Sequence, residues 1–142
     1  MSPECTTGPS REQQWSCRLD RDPYAVVTAR SLATAVLLGW DSGLVEDVVL
    51  VTSELVTNAI AHGAAPVTFA LTVRKVEEPA IVIDVSDASA DLPVQDLPGE
   101  VGHFGLWIAG ELARVTVHPA SPGKTVRATF DVTDARLLPP VP

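Results

Sequence analysis

The sequence predicts an α+β fold: a two-layer α/β sandwich in which about three helices cover one face of a mixed, mostly antiparallel sheet. Three observations carry that expectation. The first half of the chain repeats apolar residues at helical spacing, and the second half changes to alternation. The alternating segments then come in pairs, each pair joined by turn-forming residues. With 142 residues, 46% of them hydrophobic, the chain can bury a core of its own and reads as one compact unit.

In chain order, residues 1–13 are mostly Ser, Thr, Pro, Gly and charged, and read as a flexible amino-terminal arm. Asp22-Pro23 reads as a helix start, with Asp22 as N-cap and Pro23 at the first helical position. The run to Trp40 carries Val26, Ala29, Ala33, Val36 and Leu37 at helical spacing, and Gly39 closes it. Asp41 or Ser42 can cap a second helix that runs through His62, with Gly63 as the stop and Pro66 beyond. Val45-Glu46-Asp47-Val48-Val49-Leu50-Val51 is β-branched enough to suggest a strand, but the whole run is too long for one.

Val67 to Val73 alternates, Glu77-Glu78-Pro79 makes a turn, and Ala80 to Val85 forms a second strand paired antiparallel with the first. Residues 86–102 lose periodicity and read as a long loop of the kind retained for function. A short helix from about Gly105 to Ala113 follows. Arg114–His118 and Thr125–Phe130 then form a hairpin across a Pro/Ser/Gly turn. The folded domain is therefore 14–133, and 134–142, ending in Pro139-Pro140-Val141-Pro142, reads as a flexible tail.

The formal charge of -8 argues against a nucleic-acid binder held by phosphate neutralisation and against a membrane-surface protein. The opening residues lack a basic region followed by an apolar run, and no segment has the length of a membrane span, so the expected location is cytoplasmic. Cys5 and Cys17 lack metal-ligand spacing and read as reduced, incidental thiols. Trp15, Trp40 and Trp107 read as core or interface fillers.

The informative stretch is the second helix, where Glu54, Asn58 and His62 recur every fourth residue. At about 100° per residue they share one sector beside Leu44, Val51 and Leu55, the residues that must face the sheet. A carboxylate and an amide at the edge of an apolar interior need partners. Spacing alone leaves two readings open: a crossing loop that the two groups satisfy, or a bound ligand or metal. His62 reads as a C-terminal residue favoured by the helix dipole rather than as a base or ligand.

Glu54-x-x-x-Asn58-Ala59 followed by His62-Gly63 resembles the helix motif of the GHKL superfamily of ATP-binding domains. The resemblance is to the small histidine-kinase-like ATPases related to bacterial anti-sigma factor serine/threonine kinases, and it spans almost the whole folded unit. It implies that Asn58 binds a magnesium ion bridging the nucleotide phosphates and that Glu54 acts as general base or water-positioning group. The family's Asp-x-Gly-x-Gly is matched by Asp87-Ala88-Ser89-Ala90-Asp91, which keeps the Asp that accepts from the adenine amine and lacks both glycines. Gly102-His103-Phe104-Gly105-Leu106 resembles the second glycine motif, implying phosphate contacts from Gly102, Gly105 and Leu106. Gly123-Lys124-Thr125-Val126 resembles the closing Gly-x-Thr element, implying that Thr125 lies near the adenine.

The resemblance therefore implies ATP and Mg2+ as cofactors, a lid formed by residues 88–100, and phosphoryl transfer to an anti-anti-sigma protein. It also implies binding to a sigma factor and a possible homodimer. The alternative, favoured by the missing glycines, is a non-catalytic interaction module that keeps the fold with weak or no nucleotide binding.

Overall fold

A computed structural model describes residues 4–7, 12–19, 22–89 and 104–132. In chain order the elements are β1 (Glu4–Thr7), β2 (Glu12–Arg18), α1 (Ala25–Val36), α2 (Ser42–His62), β3 (Thr68–Arg74), β4 (Ala80–Asp87), α3 (Phe104–Leu112), β5 (Arg114–Pro119) and β6 (Lys124–Asp131). The strands form one sheet in the order β1-β2-β3-β4-β6-β5, with every pairing antiparallel. The architecture is the α+β sandwich that the sequence predicts, with no parallel pair in the described sheet. Within the stretch read as an arm, Glu4–Thr7 pairs with β2, and β2 in turn lies against β3. The predicted tail and most of the predicted lid lie outside the described residues.

Register places the core. Phe69, Leu71 and Val73 of β3 sit opposite Val85, Ile83 and Ile81 of β4, which sit opposite Val126, Ala128 and Phe130 of β6. All nine are buried, and side chains alternate along a strand, so they form three apolar rows on the helix-facing side. Trp15 and Cys17 of β2 extend two of these rows and pack against the same core. Burial, with Asp22 as a lesser cause, pushes the Cys17 thiol above its ordinary range. On the opposite face Arg127 donates from Nε to Asp84 Oδ1 at 2.8 Å and from Nη2 to Oδ2 at 3.3 Å.

The helices show why the apolar spacing matters. In α1 the buried residues are Ala25, Ala29 and Ala33, a small-residue stripe that lets the helix lie close to α2. The helix begins two residues later than Asp22-Pro23 suggests. Asp22 Oδ1 accepts from Tyr24 N–H at 2.7 Å and Oδ2 from the Thr28 hydroxyl at 3.0 Å, so the aspartate holds a turn that leads into the helix. Its end is also early, at Val36, and Gly39 takes a positive φ of 89° in the turn that follows. In α2 the N-cap is Asp41, whose Oδ2 accepts from Leu44 N–H at 3.0 Å. Its buried set, Leu44, Val48, Val51, Thr52, Leu55, Val56 and Ala59, is wider than one seam, because α2 is packed by α1, by α3 and by the sheet. That central placement is what brings its far end to the site.

Candidate functional site

The carboxyl end of α2, the end of β4 and the start of β6 converge. Asp87 closes β4 on the helix-facing side, since Val85 two residues earlier belongs to the core rows. Directly opposite stands Lys124, the first residue of β6. Lys124 Nζ lies 3.1 Å from Asp87 Oδ1 and 3.1 Å from Oδ2, and it donates to Ser89 O at 3.2 Å. The side chains are only 6% and 3% exposed, so this is a buried ion pair. Asp87 Oδ1 also accepts from Ser89 N–H at 2.7 Å and, at a long 3.4 Å, from Ala64 N–H just past the helix. Ala88 N–H donates to Ala64 O at 2.8 Å, which ties the chain after α2 to the chain after β4.

Two glycines make this closeness possible. Gly63 is the C-cap of α2 in an extended conformation, φ -92°, so the helix stop does not require glycine for its backbone angles. It requires glycine for space. A Cβ there would lie 2.6 Å from Asp87 Cγ and 2.6 Å from Ala59 O. Gly123 needs both: φ is +95°, and a Cβ would fall 1.9 Å from Asp87 O.

About 1.4 helical turns before Gly63, about 7.5 Å along the axis, comes Asn58, half-buried. Its Nδ2 is a buried atom without a hydrogen-bond partner. Glu54, one turn further back, is half-buried, and its carboxylate has no hydrogen bond or ion pair among the described residues. His62, last in the series, is exposed. The open choice left by the spacing is thus narrowed: among the described residues no crossing loop satisfies Glu54 or the Asn58 amine.

Thr52 supplies an internal comparison. Its Oγ1 is also buried without a partner, yet the residue is 0% exposed and belongs to the apolar side of α2. Thr52→Val is therefore expected to stabilise the protein by about 1 kcal/mol, because a buried unsatisfied hydroxyl is replaced by a methyl of similar volume. A thermal melt checks this. Asn58 differs in that the residue is only half-buried, at the boundary of the core rather than within it, although its Nδ2 atom is itself buried.

The remaining expectations divide. Gly105 and Leu106 fall in the first turn of α3, which packs on α2, and Gly102 lies outside the described residues. Thr125 is not brought to Asp87. It pairs with Ser86, one residue out of phase, and the two hydroxyls lie 2.7 Å apart on the opposite face of the sheet. The residue that faces Asp87 is Lys124, which the motif reading passes over as the variable position between glycine and threonine.

Among the described residues no three His, Cys, Asp or Glu side chains gather into a metal cluster. Magnesium does not need one, since it keeps waters and phosphate oxygens and takes few protein oxygens. An amide with one end unpartnered fits that demand: the oxygen can serve the ion while the amine serves a phosphate oxygen, the two ends being interchangeable by a flip.

An α+β sandwich that sets the polar residues of α2 near Asp87 at the end of β4 is the arrangement that the GHKL resemblance implies. The model of the histidine kinase-like ATPase domain matches residues 19–130, most of the chain, and the protein belongs to that family. A comparison with curated proteins finds no match. Among the described residues no helix is long and apolar enough to cross a membrane.

Proposed function

We propose that this ATPase-family domain is an ATP- and magnesium-dependent regulatory kinase of the anti-sigma factor type, which phosphorylates a serine or threonine on an anti-anti-sigma partner and binds a sigma factor, acting in the cytoplasm and pairing with a second copy of itself. The observation that carries the reading is the pair on α2: an orphan amine on Asn58 and, one turn away, a Glu54 carboxylate with no partner among the described residues. Asn58 holds the metal, which supplies charge neutralisation at the phosphates. Asp87 accepts from the adenine amine, and the backbone at the start of α3, around Gly105 and Leu106, faces the phosphates.

In the transfer, the partner's hydroxyl oxygen forms a bond to the γ-phosphorus as the bond to the β–γ bridging oxygen breaks. The hydroxyl proton passes to Glu54, and ADP leaves. Glu54 suits this role because no cation among the described residues competes for it. Labelled phosphate from ATP is expected on a purified anti-anti-sigma protein, and Glu54→Ala should lower the rate by about 10²–10⁴-fold. Absence of transfer with ATP bound would instead favour the interaction module.

A further inference from the structure

The ion pair beside Gly63 and Gly123 has consequences for which nucleotide can enter. A carboxylate has about four acceptor positions, two on each oxygen. Three donors converge on Asp87 Oδ1: Ser89 N–H at 2.7 Å, Lys124 Nζ at 3.1 Å and Ala64 N–H at 3.4 Å. Among the described residues Oδ2 takes only Lys124 Nζ, at 3.1 Å. The ammonium is equidistant from both oxygens and therefore straddles the open side of the carboxylate, the side on which a donor pair would otherwise dock. Its remaining hydrogen goes to Ser89 O at 3.2 Å, so no donor of Lys124 is left for a base.

We propose that Lys124 is a positioning residue that sets base specificity: by bridging both oxygens of Asp87 it leaves one acceptor position on Oδ2, which fits a single exocyclic amine and not a two-donor edge. This inference rests on the ATP-binding reading of the site. Adenine presents one amine beside a ring acceptor. Guanine presents a carbonyl at the corresponding position and, next to it, a ring N–H and an amine side by side, a pair that matches the two oxygens of an open carboxylate as a guanidinium does. With Lys124 in place the two-donor approach is blocked, and the guanine carbonyl would meet an anion with no donor on offer. Lys124 also fixes the start of the chain beyond β4 through Ser89 O, where the family pattern has a glycine and this chain does not.

The test is titration of the full-length protein with ATP and with GTP, each with magnesium, for wild type, Lys124→Met and Lys124→Gln. Gln retains a donor for one carboxylate oxygen and so keeps a folded variant available if Met unfolds the site. Wild type is expected to favour ATP by ~100-fold or more, as sites built around one hydrogen-bonded group do. Removing the bridge should move the ATP:GTP ratio toward GTP by at least ~10-fold in Lys124→Met, with a smaller shift in the same direction for Lys124→Gln. A residue that merely supports the fold would weaken both nucleotides together, so an unchanged ratio in folded variants overturns the proposal while leaving the ATP site standing. Wild type that binds neither nucleotide overturns the site itself, and this inference with it.

Discussion

Gly123→Ala is expected to destabilise the protein by about 3 kcal/mol or more, the sum of a side chain forced into a left-handed conformation and of overpacking against backbone. The φ of +95° gives the first contribution, and a Cβ 1.9 Å from Asp87 O and 2.7 Å from Ala88 Cα gives the second. Neither obstacle is a flexible side-chain tip, so relief requires β4 and β6 to part at the end where the ion pair lies. For a domain this size the melting temperature should fall by roughly 10 °C. Gly63→Ala tests the same closeness from the helix side and should cost less. Its backbone angles suit alanine, so only the overpacking contribution applies, against Ala59 O and the Asp87 carboxyl. A Gly123→Ala protein that melts with the wild type would mean that the strand ends are further apart than described.

Lys124→Met should be the other large effect, about 3–5 kcal/mol, because it strands a buried carboxylate without its cation. Replacing both partners separates loss of charge balance from loss of packing. Asp87→Asn/Lys124→Met keeps similar volumes with no charge and should recover most of the stability, since a neutral pair avoids the desolvation that the ion pair must offset. Urea unfolding of the two single variants and the double variant measures the coupling directly. Additive losses would show that the two groups do not form the pair.

How much of this was legible in the sequence depends on which physical rule governs each residue. The helical run with Glu54, Asn58 and His62 was, because its period is long enough to beat the β-branched propensity of Val48, Val49 and Val51. The pairings of β3 with β4 and of β5 with β6 were, because alternation and turn residues bracket each strand. The strand read as ending at Val85 runs two residues further, so Asp87 closes β4 rather than opening the loop.

The phase of β6 is not legible from the motif. Thr125 and Lys124 are neighbours, and in a strand one residue of register decides which face a side chain takes. The motif fixes residue types but not that parity, so it points to Thr125 and passes over Lys124, whereas the register sets Lys124 opposite Asp87. The signal was nonetheless present: Val126 and Ala128 are the apolar partners of the alternation, and counting back from them puts Lys124, not Thr125, on the core side. The role of Gly63 was hidden for a different reason. A glycine after a helix reads as a stop, and nothing local indicates that its missing Cβ makes room for Asp87, 24 residues away in the chain. Similarly, β1 has few apolar residues and forms by pairing with β2, a contact that local pattern cannot announce.

The central claim is that the orphan amide on α2 faces a metal-bound nucleotide. Its most direct test is calorimetric titration of wild type and Asn58→Ala with ATP, with and without magnesium. Wild type is expected to bind ATP only weakly without the ion and firmly with it, and a melt at about a hundred times the dissociation constant should gain roughly 2.7 kcal/mol. Asn58→Ala should lose most of the magnesium-dependent part while remaining folded. Magnesium-independent binding that survives Asn58→Ala, or no binding at millimolar ATP, would contradict the account.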